Sequence, residues 1–104
     1  MARFDVYVTP FADERKHTPF WLDVQADHLQ SLDTRVVIPL RKLAPKEAIK
    51  QRLNPEFFVE ATRVYADTAN LGTFPLALLR RPIFSLRDER LAIAEALDFL
   101  FSGY

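Results

Sequence analysis

Phe20-Trp21-Leu22-Asp23-Val24-Gln25-Ala26-Asp27 alternates: Phe20, Leu22 and Val24 fall on one side, Trp21, Asp23 and Gln25 on the other. Period two marks a half-buried β-strand. Trp21 is read as packed under a second layer, with an exposed anchor as the alternative. Toward the N-terminus, Phe4, Val6 and Val8 alternate with Asp5, Tyr7 and Thr9 in a strand that Pro10 ends. The charged stretch 10–19 then serves as an exposed loop between hairpin strands. Toward the C-terminus, 27–34 is polar and turn-like around Leu29 and Leu32. Val36-Val37-Ile38-Pro39-Leu40 follows as a short buried strand, with Pro39 at an edge, a bulge or a strand end.

Farther out the punctuation continues. Pro45 to Lys50 fits one or two helical turns with Pro45 at the first position. Phe57 to Glu60 and Arg63 to Ala66 read as a hairpin across Ala61-Thr62. Thr68 to Gly72 reads as a helical turn closed by glycine, and Phe74 to Leu79, with Pro75 inside, as a bent or edge strand. The clearest element is last. Ser85 is placed as N-cap with Asp88 in a weak capping box. Leu86, Ile93, Ala94, Leu97, Leu100 and Phe101 then recur at helical spacing, and the helix stops near Gly103. Short strands followed by one helix predict a single mostly β domain over residues 1–104, a small barrel or bent sheet with a C-terminal α-helix packed on it.

Composition narrows the function classes. The chain has 104 residues, no cysteine, 2 glycines, and 14 basic against 14 acidic side chains. Surface scaling buries about 65% of such a chain's surface, enough for one core without staples. Disulfide frameworks, thiol nucleophiles and cysteine-based zinc sites are excluded. Zero net charge argues against a general nucleic-acid binder. No apolar run approaches a membrane span, and strand-like alternation from Phe4 onward is read as leaving no room for a signal peptide, so the expected location is cytoplasmic. Arg35, Arg41, Lys42, Lys46, Lys50 and Arg52 oppose only Glu47 in residues 35–52. This cluster is a candidate dock for an acidic partner, or else an ordinary solvated surface.

Little marks catalysis. His17 and His28, the 2 histidines, have no partner at metal-ligand spacing. Ser31, Ser85 and Ser102 lie in no nucleophile elbow. Two glycines cannot build a phosphate-cradling loop. Neither an enzyme nor a cofactor or metal is expected. Of 13 aromatics, 9 are phenylalanine, and most are expected in the core. Phe99, Phe101 and Tyr104 crowd the end of the last helix, where chains usually fray. They are expected to be buried or to form a dimer or partner interface.

The segments Phe20-x-Leu22-Asp23-Val24-Gln25-Ala26-Asp27 and Arg35-Val36-Val37-Ile38-Pro39-Leu40 resemble the paired D-V-Q-x-D and V-I-P-L motifs of the CcdB-type toxins of toxin–antitoxin modules. The Phe4-Asp5-Val6-Tyr7 start, Phe74-Pro75-Leu76 and the Phe101-Ser102-Gly103-Tyr104 ending also match in order, so the resemblance spans nearly the whole chain. It implies an SH3-like β-barrel and a homodimer that is not an enzyme. It further implies binding to the DNA gyrase A subunit, with trapping of the cleaved-DNA complex. A cognate antitoxin with a disordered C-terminal segment would neutralise the toxin, and the two together would repress their operator. Carried over by position, the gyrase-binding residues are Ala26, His28, Asp98, Ser102, Gly103 and Tyr104. The sequence departs from the family pattern where Ser102 replaces a tryptophan and Tyr104 an isoleucine. A ribonuclease toxin of the same barrel superfamily, or an antitoxin-binding homologue without gyrase binding, are the alternatives.

Overall fold

The computed structural model describes residues 2–43 and 52–103. The short helix expected over Pro45 to Lys50 lies outside them. Seven strands are seen among the described residues: β1 Asp5–Val8, β2 Phe20–Asp23, β3 Thr34–Lys42, β4 Glu56–Val59, β5 Thr62–Ala66, β6 Gly72–Pro75 and β7 Phe84–Ser85. The helix α1, Arg90–Ser102, closes the chain. The strands run in the order β4-β5-β3-β2-β1-β7, with β6 also paired to β3. All pairings are antiparallel. The result is the mostly β, nearly closed barrel with one C-terminal helix that the alternation predicted.

β3 holds the sheet together because it changes partners. Its first half pairs with β6 from Thr34 to Val37, and its end pairs with β5 from Leu40 to Lys42. Pro39 falls in the gap between these partners. A proline in mid-strand is tolerated there because no ladder bond asks for its missing N–H. Its carbonyl still accepts from Asp67 N–H at 3.0 Å. The strand is therefore longer than the run 36–40, and Pro39 sits at a seam rather than an end.

The interior is filled by one side of the alternation. Val6, Leu22, Ile38, Leu40, Val59 and Val64 are fully buried, joined by Ile93 of the helix. The opposite face of β1–β3 is covered too. Tyr7, Trp21, Val37 and Leu79 form a second cluster against Phe74 and Leu78. The Trp21 ring lies 4.2 Å from that of Phe74 and 5.7 Å from that of Phe11, so the packed reading holds. Covering both faces also inverts part of β1: Tyr7 is buried and Val8 exposed.

Several local expectations need correction. Gly72 does not close the turn Thr68–Asn70; it opens β6 opposite Val37, and a Cβ there would meet the Phe74 ring at 3.0 Å. The strand expected over 74–79 ends at Pro75 and gives way to a 3-10 turn, Leu76–Leu78. The hairpin turn sits one residue earlier than expected: Val59 pairs with Thr62, and Glu60 takes a φ of 56° in the two-residue loop Glu60-Ala61. Ser85 is the last residue of β7, and its Oγ accepts from Arg87 N–H at 3.3 Å. Leu86, not Ser85, is the N-cap of the 3-10 turn Arg87–Glu89, and α1 starts only at Arg90. Among the phenylalanines only Phe4 and Phe57 are buried. β-Branched and leucine side chains already fill the small barrel, and Phe11, Phe58, Phe84 and Phe101 are left exposed.

One buried group carries a pH signature. The Tyr7 hydroxyl has no hydrogen-bond partner among the described residues. Burial, with Asp5 and Asp23 adding their charge, pushes the Tyr7 phenol up from 10.0 to about 12. The unfolded chain thus releases this proton first. Its contribution to stability is complete below pH 10 and is lost as pH rises toward 12. We expect Tyr7→Phe to flatten this alkaline loss, read as unfolding free energy against pH. At neutral pH the variant should gain about 1 kcal/mol by removing an unsatisfied polar atom.

Candidate partner-binding surface

The D-V-Q-x-D motif folds into a polar knot. The Arg35 side chain is 1% exposed and that of Asp23 0%, and the Arg35 Nη2 lies 2.7 Å from Asp23 Oδ2. Arg35 Nε donates to the same oxygen at 2.9 Å. Asp23 Oδ1 accepts from Gln25 N–H at 3.0 Å. Gln25 accepts from Val36 N–H at 3.1 Å and donates to Leu29 O at 3.2 Å. Asp27 Oδ1 accepts from Arg3 N–H at 2.7 Å. That hydrogen bond, helped by the charge of Arg87, holds the Asp27 carboxyl below the usual range. Burial pushes the Asp23 carboxyl up, against the pull of Gln25 N–H and Arg35. The motif thus pins β2 to β3 and braces the 3-10 turn Asp27–Leu29. His28 stands exposed on that turn and Ala26, just before it, is half-buried.

The second group of candidate residues is on α1. Ile93 and Ala96 are buried against the barrel, with Leu97 partly so. A different stripe faces out. Leu91, Ala94, Asp98 and Phe101 follow helical spacing, and Leu91 is 79% and Phe101 73% exposed. Leu91, Ala94, Asp98 and Ser102 line a shallow groove of about 530 Å³ with Arg52 and Glu95. Arg52 Nε pairs with Glu95 at 2.9 Å, and its guanidinium sits 5.0 Å from the Phe99 ring centre. Gly103 ends the helix with φ 74° and donates its N–H to Phe99 O at 2.9 Å. That left-handed turn is the reason for glycine, since a Cβ there would meet nothing within 4 Å. Phe101, expected to be buried or to form an interface, is not buried in the monomer.

The two groups stand on different elements, the turn after β2 and the end of α1. Asp27 feels the charge of Arg87, which lies in the 3-10 turn before α1, while Asp98 and Ser102 lie near the end of α1 and Gly103 at its C-cap. A helix from Arg90 to Ser102 spans about 18 Å at 1.5 Å per residue. Tyr104 lies outside the described residues.

A family model described as CcdB protein matches residues 3–103. The chain belongs to the CcdB family. Membership points to the toxin of a toxin–antitoxin pair. No curated protein matches the chain. In this CcdB-family member the motif that looks most diagnostic is internal wiring, and the surface stripe of α1 carries no comparable sequence signal. Exposed Leu91 could have been found only by noticing that the helix has more apolar positions than one face can hold.

The basic cluster at 35–52 is also reinterpreted. Arg35 is buried on Asp23, Arg41 bonds Asp67 and Thr18 at 2.6 Å each, and Arg52 pairs with Glu95. Lys42 is exposed; Lys46, Glu47 and Lys50 lie outside the described residues. Most of the described charge there is already neutralised by the protein itself. No helix among the described residues is long and apolar enough to cross a membrane.

Proposed function

We propose that this chain is the toxin of a type II toxin–antitoxin module, acting as a homodimer that binds the A subunit of DNA gyrase and traps the gyrase–cleaved DNA complex. Its action is binding rather than catalysis. Its site is the end of α1, with Asp98, Ser102, Gly103 and Tyr104, together with Ala26 and His28 on the turn after β2. The bare apolar stripe of α1 in a CcdB-family chain is the observation that carries this reading. Leu91 and Phe101 are too exposed to serve the monomer, and large apolar groups left outside favour an interface. Phe101, next to Ser102, supplies an aromatic face where the family pattern has tryptophan. Dimerisation would let the turn after β2 and the end of α1, taken from two copies, act on one partner. A cognate antitoxin with a disordered C-terminal segment releases the toxin, and the pair together represses its operator.

The test is a supercoiling assay with purified gyrase and the purified chain. The expected result is inhibition accompanied by double-strand breaks on denaturation of the complex. Cleavage of naked RNA with no effect on gyrase would replace this reading with a ribonuclease toxin. Antitoxin binding with neither activity would make the chain a homologue that has lost gyrase binding.

A further inference from the structure

Beside β1 and the stretch 76–83 runs a groove of about 780 Å³ into which Arg15, Arg80 and Arg81 project with no acidic residue in its lining. Arg15 is held in place by neutral partners: its Nε donates to Thr9 O at 2.6 Å and its Nη2 to Pro10 O at 3.3 Å. Its charge is therefore oriented but not offset. Arg80 and Arg81 are exposed and make no hydrogen bond or ion pair with any described residue. This contrasts with Arg35, Arg41, Arg52 and Arg63, each of which has a carboxylate. The lips of the groove are aliphatic, with Val8 and Ile83 both exposed. Tyr7, whose buried hydroxyl lacks a partner among the described residues, stands in its wall.

Guanidinium groups next to aliphatic lips suit carboxylates alternating with apolar side chains. A nucleic-acid strand would instead favour stacking faces between the cations, and the exposed lip residues are Val8 and Ile83. We propose that this groove takes an extended acidic peptide, its carboxylates on Arg80 and Arg81 and its apolar side chains on Val8 and Ile83. Resting on the toxin reading above, the peptide is a segment of the antitoxin, whose disorder lets it follow a long, shallow path. The surface for the acidic partner is thereby moved from the 35–52 cluster, centred on β3, to the β1 and β7 end of the sheet order.

The experiment titrates a fluorescein-labelled dodecapeptide of alternating glutamate and leucine into the full chain and into Arg80→Glu/Arg81→Glu. Both replaced side chains are exposed, and an unchanged melting temperature confirms the variant's fold. The expected result is salt-sensitive binding to the wild type and at least tenfold weaker binding to the variant. Absence of binding to the wild type, or equal affinity for both chains, overturns the proposal. So does tighter binding of a 20-base-pair DNA duplex than of the peptide. Co-expression with the product of any short reading frame found beside this chain's gene separates this proposal from the toxin reading. Capture by the wild type and not by the variant supports both. Equal capture by both chains leaves the toxin reading standing and removes the antitoxin from the groove. No capture by the wild type overturns the antitoxin reading, while the peptide titration still decides the groove.

Discussion

Arg35→Met is expected to lower the unfolding free energy by about 3–5 kcal/mol, the cost of leaving a buried charge without its partner. The side chain removed is 1% exposed and its partner Asp23 is 0% exposed, so water cannot replace it. The loss should be read by urea denaturation with an unchanged slope, which would locate the effect in the native state. Acidity should soften it. Burial already pushes the Asp23 carboxyl up in the native chain, and deleting Arg35 removes one of the forces opposing that rise. A folded-state value raised above the unfolded one makes the ionised group costlier as pH rises, so the defect is largest at neutral pH. It shrinks as the pH falls toward protonation of Asp23. The double variant Asp23→Val/Arg35→Met is expected to be damaged less than either single one, because no lone charge remains. A cost below about 1 kcal/mol for Arg35→Met, the scale of an exposed pair, would refute the knot as the brace between β2 and β3.

Deleting Ser102 to Tyr104 is expected to abolish gyrase inhibition while the fold survives. Truncating one interface hot spot costs about 2–3 kcal/mol, roughly a 30- to 150-fold loss of affinity, and the deletion takes three of the proposed gyrase-facing residues at once. The structural cost is small. Ser102 and Gly103 are exposed, and the deletion removes the hydrogen bond from Gly103 N–H to Phe99 O at the end of the helix. The barrel, Ile93 and Ala96 are untouched, so the melting temperature should fall by only a few degrees, the scale of about 1 kcal/mol in a domain of this size. Growth arrest on expression and supercoiling inhibition in vitro are the two readouts. Retained toxicity would remove the helix end from the site; loss of the fold would show that the end is structural.

The strands were legible because alternation is a local signal. Phe20-x-Leu22-x-Val24 predicts a buried face whatever the rest of the chain does, and Leu22 and Val24 are buried as predicted. Misreadings cluster where a second packing partner intervenes. Tyr7 is buried and Val8 exposed because the 3-10 turn Leu76–Leu78 and the residues around it cover the far side of β1 and β2. Pro39 is harmless in mid-strand because β5 and β6 leave a gap beside it. Neither fact has a local trace. Of the candidate site, the left-handed end at Gly103 was legible from glycine alone. The placement of Ala26 and His28 relative to Asp98 and Ser102 was not, because it depends on which way α1 runs across the barrel.

Charge shows the same division. The sequence counts six basic residues in 35–52, and counting places an acidic partner there. The tertiary structure assigns Arg35, Arg41 and Arg52 to Asp23, Asp67 and Glu95, and leaves Arg80 and Arg81 without partners among the described residues. What the sequence alone determined is the element order, the barrel with its last helix, and the family, all set by short-range periodicity and motif spacing. What only the tertiary structure decided is which of those residues remain available. An ion pair between residues far apart in the chain depends on the register of β2 against β3 and on where α1 docks, and those are set by burial of the whole core at once.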